Sequence, residues 1–119
     1  VGDATVPGNL THPRSFGAFP HFWHHFVKNL KTASAEEAVQ KITSGPAQKL
    51  KLWGRGAIIN GNFADLVIFD PEKIKDRATY KNPYQYAEGI EFVVINGELA
   101  VKEGSITGLR TGRTLRYKS

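Results

Sequence analysis

Three histidines in the first quarter of the chain are the residues best suited to metal chemistry. His21 and His25 are four positions apart in a segment with a helical apolar period. They therefore share one face of the expected helix, as metal-binding histidine pairs do. His24 lies beside His25, but no acidic residue close in sequence offers a third ligand, and the imidazoles lie opposite the apolar stripe. The pattern favours a solvated helix face over a metal site.

A second group, His12-Pro13-Arg14, is suited to binding an anion. The planar guanidinium of an arginine can bind a carboxylate through two parallel hydrogen bonds. Pro13 disfavours helical dihedral angles at His12, and Gly17 allows the chain to turn, so we expect residues 10–20 to form a loop. Ordered loops often carry binding residues. The residue types alone leave open whether this loop binds a ligand or forms a structural salt bridge.

Asp3 is a third candidate, because of its place in the chain. It follows the pair Val1-Gly2 and precedes a turn at Val6-Pro7-Gly8-Asn9, a pattern compatible with the carboxyl end of a strand. In α/β barrels that end of the strands carries the catalytic residues. An isolated Asp is more often a turn or cap residue, and no Ser-His-Asp arrangement, P-loop or dinucleotide fingerprint accompanies it.

Helices are predicted in the first half of the chain, and they would position these groups. Apolar residues between 19 and 30 recur with the spacing of an amphipathic helix, and we expect Pro20 in its first turn. A second helix is predicted from Ser34, because Ser34 and Glu37 have the spacing of a capping box. A short third helix is predicted from Pro46.

The second half of the chain has a β pattern. Leu66–Phe69 is a continuous apolar run that predicts a strand buried on both faces. Ile90–Ile95 and Glu98–Lys102 flank Asn96-Gly97, a pair that favours a type I′ hairpin turn. A last short strand is expected at Thr114–Tyr117. The helices and strands together predict an α+β fold.

A polar segment at residues 76–89 separates the first of these strands from the hairpin. It contains a proline, a glycine and three tyrosines. We expect a long surface loop, folded back by the tyrosine side chains, which are Tyr80, Tyr84 and Tyr86.

The composition narrows the class of protein. The chain has 119 residues, a net charge of +5 and no cysteine, so it has no disulfide and no thiolate metal site. No apolar stretch approaches the roughly 20 residues of a membrane helix, and no secretory signal is visible. These features favour a cytoplasmic protein. Because the chain begins with Val1 and contains no methionine, we expect a fragment or a processed product.

Taken together, several segments resemble the C-terminal end of the N-acyl-D-amino-acid deacylases (D-aminoacylases) of the metal-dependent amidohydrolase superfamily. The resemblance covers nearly the whole chain, although the family has Ser or Thr where Gly2 stands and often a basic residue where His21 stands. The matching segments are Gly2–Thr5, His12–Pro20, Ala38–Leu52, Ala64–Asp70, Gly89–Gly97 and Thr107–Arg113.

The resemblance implies a function and roles for particular residues. In such hydrolases a zinc ion activates the water that attacks an amide carbonyl. Asp3 matches the catalytic Asp that moves a proton, Arg14 is the candidate for holding the substrate carboxylate, and His12 is a candidate organiser of the substrate-binding loop. The metal ligands belong to upstream barrel segments, so the resemblance assigns none here and implies that this chain binds no zinc and is inactive alone.

The resemblance also implies a domain division near residue 54. Residues 1–53 would be the end of a TIM-like barrel with two or three helices, and residues 54–119 a small partial β-sandwich. The missing barrel chain, or a second copy of this chain, would then cover open sheet edges.

Two alternatives of other classes remain open from sequence. One is a non-catalytic β-module that associates with itself or with a partner chain through open strand edges. A weaker one is a basic nucleic-acid-binding domain, because Arg110, Arg113, Arg116 and Lys118 are close together near the C-terminus.

Overall fold

The computed structural model describes residues 11–116 of the chain, and within this range the chain forms two compact units. Of the described residues, the first unit takes 11–34 and 70–89, and the second takes 35–69 and 90–116. Each unit therefore combines two separate stretches of sequence. The predicted division near residue 54 stays a prediction. No helix within residues 11–116 is long and apolar enough to cross a membrane.

The first unit begins with a helix, α1, at Arg14–Phe22. The prediction of a loop through residue 20 is therefore wrong, although His12 does remain outside the helix. Pro13 occupies the N-cap with φ −52° and ψ −30°, and a proline ring is already fixed near helical φ. The helix thus starts one turn earlier than the apolar spacing indicates, and Pro20 lies in its interior instead of its first turn.

A π-helical segment, Trp23–Asn29, continues α1. Its wide turns are visible in the bond from the N–H of Leu30 to the carbonyl oxygen of His25, five residues earlier, at 2.9 Å. A π-helical turn displaces side chains from the 3.6-residue period. Trp23, in the same apolar period, is buried, with 6% of its surface exposed, whereas Phe26 and Leu30 are 38% and 52% exposed.

The rest of the first unit is the loop 70–89, which returns against the helix. It buries Ile74 and Ala78, and its ends meet at a single β-bridge between Lys75 and Glu88. The indole N–H of Trp23 donates to the carbonyl oxygen of Pro71 at 3.2 Å. This loop, which has no helix or regular strand, supplies much of the small core of its unit.

The second unit begins with two helices, α2 at Ala35–Ile42 and α3 at Ser44–Lys49. Both were predicted, and each buries a small residue, Ala38 in α2 and Ala47 in α3. The loop that follows passes very close to α3: a Cβ on Gly56, where φ is +82°, would lie 2.5 Å from the Cβ of Ala47. Only glycine fits this approach without a shift of the backbone.

A four-stranded antiparallel sheet completes the second unit, with the strands in sequence order. The strands are β1 at Leu66–Phe69, β2 at Ile90–Ile95, β3 at Glu98–Lys102 and β4 at Ser105–Ile106. The predicted hairpin turn is confirmed, since Asn96 and Gly97 have φ values of +52° and +87°. The α+β class is likewise confirmed.

Two predictions for the β half are wrong. Val67 and Ile68 of β1 are each 54% exposed, so β1 is not buried on both faces. It is an edge strand paired only with β2, and the described residues contain this one sheet and no second layer of a sandwich. Residues 114–116 form no strand, and Tyr117 lies outside the described residues.

A candidate substrate-binding turn

The turn at His12-Pro13-Arg14 is closed by the side chain of its own histidine. The backbone N–H of Arg14 donates to Nδ1 of His12 at 3.1 Å. The N–H of Ser15 donates to the backbone oxygen of His12 at 3.0 Å. A side chain that accepts from the N–H two residues on imitates a backbone turn, as Asn and Asp often do. The turn is thus fixed before α1 begins.

This arrangement determines which nitrogen of His12 carries the proton in the neutral ring. Because Nδ1 accepts from Arg14, the proton resides on Nε2. Nε2 lies 3.0 Å from the hydroxyl oxygen of Tyr80, to which it donates. The two rings meet edge to face, with their centroids 5.1 Å apart. His12 therefore links the turn to a residue 68 positions away.

Tyr84 and Tyr86, which lie in the same loop as Tyr80, contact residues next to this turn. The hydroxyls of Thr11 and Tyr84 are 2.9 Å apart. The ring of Phe16 contacts the rings of Tyr84 and Tyr86 edge to face, at 5.6 and 6.0 Å between centroids. We call residues 76–88 the tyrosine loop. Its tyrosines do fold back, and what they contact is the segment from Thr11 to Phe16.

A close approach between α1 and the tyrosine loop explains a glycine in the helix. A Cβ on Gly17 would lie 2.6 Å from the Cβ of Asp76, a separation that real Cβ atoms do not tolerate. The absence of a side chain at Gly17 lets Asp76 reach His21, whose Nδ1 is 3.1 Å from both carboxylate oxygens. The same helix is thus joined to the loop a second time, at His21, nine residues after His12.

Two of the helix histidines, His21 and His25, have stacked rings. The rings of His21 and His25 are 5.6 Å apart and 12° from parallel. Within residues 11–116, no group of three or more His, Asp or Glu side chains is arranged to hold a metal ion. The hydrogen bond with Asp76 gives His21 a structural role at the surface.

Ion pairs hold both ends of the loop 70–89. The backbone N–H of Glu72 donates to Asp70 at 2.9 Å and, with the nearby Lys73 ammonium at 3.1 Å, lowers the pKa of the Asp70 carboxyl. At the other end, Lys75 lies 2.7 Å from the Glu88 carboxylate and lowers the pKa of that carboxyl. Both carboxylates are stabilised in their charged forms.

The sequence-predicted site residues have different outcomes. His12 and Arg14 lie in one turn, and the side chain of Arg14 is exposed beside the helix start. Asp3 lies outside the described residues. Sequence reasoning missed the contact of Tyr80 with His12. The only signal for it was the presence of three tyrosines in an otherwise polar loop.

The second unit contains a different polar cluster, which we call the Arg55 cluster, consisting of Arg55, Asp65, Asn96 and Thr111. Arg55 donates to the carboxylate of Asp65 and to Oδ1 of Asn96, the latter at 2.7 Å. The backbone N–H of Asn96 donates to Asp65 at 2.8 Å, and its side-chain amide donates to the carbonyl oxygen of Thr111 at 2.6 Å. The cluster fastens the loop before β1 to the hairpin turn.

Comparisons with known proteins identify the family of the chain. A family model described as the amidohydrolase family matches residues 4–101. The D-aminoacylase of Alcaligenes xylosoxydans xylosoxydans is 41% identical over 104 residues, which are 87% of this chain and 22% of that protein. The N-acyl-D-glutamate deacylase of the same organism is 37% identical over 117 residues, or 98% of this chain and 24% of that protein.

Solved structures show the same relationship. A crystal structure of D-aminoacylase matches with a TM-score of 0.82 and 40% identity, covering 86% of this chain and 22% of that one. The N-acyl-D-glutamate deacylase of Bordetella bronchiseptica, complexed with zinc and a phosphonate inhibitor, matches with a TM-score of 0.73 and 32% identity. The match covers 80% of this chain and 21% of that one. The chain spans less than a quarter of the length of these relatives. Since the family model matches most of its residues, the chain belongs to the amidohydrolase family.

Proposed function

We propose that this chain provides the C-terminal, substrate-binding part of a metal-dependent hydrolase of N-acyl-D-amino acids. The single observation that carries the proposal is the braced His12–Arg14 turn, in a chain that is 37–41% identical to deacylases for D-amino acid derivatives. Such substrates have a free carboxylate next to the amide to be cleaved. The expected cytoplasmic location stays a prediction.

Arg14 is the proposed ligand for that carboxylate. Its side chain is exposed, and its backbone is fixed by the bond to His12. A guanidinium on a rigid support can orient a carboxylate with two parallel hydrogen bonds and so fix the amide relative to the catalytic groups. His12 organises the turn in this scheme and does not itself contact the substrate.

Asp3 is the proposed proton carrier. As a general base it would take a proton from the attacking water while the water oxygen bonds to the carbonyl carbon. As a general acid it would return that proton to the nitrogen as the C–N bond breaks. Its role rests on the family resemblance, because Asp3 lies outside the described residues.

The metal centre of the family has no proposed ligands among the described residues. Zinc is present in the Bordetella structure, and another matching structure concerns the binuclear metal centre of D-aminoacylase. Residues 11–116 do not fit such a centre, since they contain no suitable group of three or more ligands. Both ring nitrogens of His12 are also engaged, with Arg14 and Tyr80. No catalytic step is therefore assigned to a metal bound by the described residues.

A chimera tests the proposal. The matching segment of the Alcaligenes D-aminoacylase would be replaced by this chain, and hydrolysis of N-acetyl-D-amino acids would be followed. We expect activity in the chimera, a large increase in KM on Arg14→Lys, which retains the charge but removes the planar fork, and no activity from the 119-residue chain alone. Zinc content and circular dichroism would verify that each protein is folded. Hydrolysis by the isolated chain with bound zinc would contradict the proposal.

A second candidate function has one structural observation in its favour. Val67 and Ile68 are exposed on the edge strand β1, and an open apolar edge invites pairing with another chain. The comparisons support neither this self-associating module nor nucleic-acid binding. Light scattering would decide the first, since a monomer across a wide concentration range argues against it. Salt-independent, negligible binding to nucleic acid would remove the second.

A further inference from the structure

Tyr80 is exposed yet precisely placed, and packing does not account for its position. Its side chain is 81% exposed, so burial contributes little to holding it. Its hydroxyl nevertheless lies 3.0 Å from Nε2 of His12, and the two rings meet edge to face. A neutral hydrogen bond between exposed groups adds little to folding stability, because water competes for both partners. The contact is therefore better explained by what it positions.

The tyrosine loop is built to present this hydroxyl. Two reciprocal bonds close the turn that contains Tyr80: Thr79 N–H donates to the oxygen of Asn82, and Asn82 N–H donates to the hydroxyl of Thr79, both at 3.0 Å. The side-chain amide of Gln85 donates to the backbone oxygens of Arg77 and Asn82, at 2.8 and 3.0 Å. The tip of the loop is thus rigid independently of its contact with His12.

The imidazole of His12 connects Tyr80 to the backbone of Arg14. One ring nitrogen faces the hydroxyl of Tyr80, and the other accepts the N–H of Arg14. A rotation of the ring about the Cβ–Cγ bond would disturb both hydrogen bonds at once. Fixing the ring with Tyr80 therefore fixes the direction in which Arg14 leaves the turn.

We propose that Tyr80 is a positioning residue for the anion-binding side chain of Arg14, acting through His12. This inference rests on the proposed function of Arg14. It extends that function by identifying a residue 66 positions further along the chain as a determinant of carboxylate affinity. Tyr80 does not touch the substrate in this scheme. Its removal should weaken binding of the carboxylate and leave the chemical step unchanged.

The first test uses the 119-residue chain itself and needs no activity. Long-range 1H–15N NMR spectra should show the proton of neutral His12 on Nε2. Tyr80→Phe should shift the Nε2 resonance of His12 and the amide resonance of Arg14. The matched control is Tyr86→Phe, which removes a hydroxyl from the same loop and should leave both signals in place. Unchanged His12 and Arg14 signals in Tyr80→Phe would overturn the inference.

The second test measures the kinetics of the chimera. Tyr80→Phe should raise KM roughly two-fold, because a hydrogen bond between exposed groups contributes less than a typical neutral one, with kcat unchanged. His12→Asn keeps an acceptor for the N–H of Arg14 but cannot reach Tyr80 in the same way. Adding Tyr80→Phe to His12→Asn should therefore have no further effect, because the two residues act in series.

The outcomes separate this inference from the function on which it rests. If Arg14→Lys leaves KM unchanged, the proposed role of Arg14 fails, and the inference fails with it. If Arg14→Lys raises KM but Tyr80→Phe does not, the role of Arg14 stands and only the inference is overturned. A fall in kcat with unchanged KM in Tyr80→Phe would also overturn it.

Discussion

Two hydrogen-bonded clusters, one in each unit, join distant parts of the chain and differ in what they leave accessible. In the first unit, His12 and Tyr80 connect positions 68 apart, and the side chain of Arg14 remains exposed beside them. In the second unit, Arg55 reaches Asn96 across 41 positions. Its side chain is only 12% exposed, and its charge is paired with Asp65. The first cluster lies beside an exposed arginine, whereas the arginine of the second is largely buried and bonded within the fold.

The difference follows from how far each cluster is buried and how many of its hydrogen-bonding groups are bonded within the protein. Arg55 also lies 4.3 Å from the centre of the Phe63 ring, so its guanidinium is covered on one face and bonded at its edge. Leaving such a cation without its partner carries a desolvation cost. The pair of His12 and Tyr80 in the first unit has no comparable charge at its centre, and both residues are accessible to water. Loss of a bond there should change geometry more than stability.

The largest expected effect of a substitution is therefore in the Arg55 cluster. Asp65→Ala removes the carboxylate that accepts from both Arg55 and the N–H of Asn96. Because Asp65 itself is 33% exposed, we expect a loss of about 2 kcal/mol, near the middle of the range for hydrogen bonds to charged groups. Urea unfolding of the 119-residue chain would measure it.

Asp65→Asn is the informative companion to this variant. It keeps an oxygen for the N–H of Asn96 and removes the negative charge beside Arg55, so its loss should be smaller than that of Asp65→Ala. Equal stability of Asp65→Ala and the unsubstituted chain would mean that the Arg55 cluster does not hold the fold, and the contrast between the two units would disappear.

A steric effect of somewhat smaller size is expected at Gly17. A Cβ there meets the Cβ of Asp76 at 2.6 Å, so Gly17→Ala must push the tyrosine loop away from α1. We expect a loss of about 1 kcal/mol, at the lower end for overpacking, because the loop is exposed and can shift. Gly112→Ala is the matched control, since nothing lies within 4 Å of a Cβ at Gly112. A loss in the control as large as that in Gly17→Ala would show that the close approach is unimportant.

The first unit should respond to acid through two of its carboxylates. The pKa values of Asp70 and Glu88, both in the first unit, are lowered by hydrogen bonds and neighbouring lysines. A carboxylate whose pKa is lowered in the folded protein stabilises the fold at pH values above the ordinary carboxyl pKa, which is about 4. That stability is lost as the pH falls through the lowered values, when the carboxylates become protonated. Loss of the Lys75 ion pair should thus loosen the first unit below about pH 4.

Hydrogen exchange read residue by residue from pH 3 to pH 7 can detect this response. Glu88→Gln should reduce the acid dependence of protection in the loop 70–89 and leave the sheet unaffected. Glu91→Gln, an exposed change on β2, serves as the control. Protection of the loop 70–89 that does not change between pH 3 and pH 7 would contradict the acid sensitivity expected of the first unit.

The predictability of each feature from sequence depends on how local its cause is. The turn at Asn96-Gly97 and the start of α2 after Ser34 follow from neighbouring residues, and both are found. The loop predicted over residues 10–20 is found only as far as Pro13, because α1 begins at Arg14.

Features with distant causes escaped prediction. The bond of Tyr80 to His12 and the pairing of Arg55 with Asn96 depend on how remote segments meet, which no periodicity records. The exposure of Val67 and Ile68 likewise depends on which strands lie beside β1. The π-helical segment after Phe22 was not predicted either, because no residue pattern in it distinguishes a π-helix from an α-helix.

The smallest expected effect is on stability in Tyr80→Phe. The hydroxyl is exposed, and its partner His12 can turn to water, so the free energy of unfolding should change by less than about 0.5 kcal/mol. The same urea experiment as for Asp65→Ala would measure it. A loss above about 1 kcal/mol would place Tyr80 with the Arg55 cluster, as a residue that holds the fold. A small loss of stability together with shifted His12 and Arg14 resonances would separate positioning from stability, because the fold would remain intact while the turn changed.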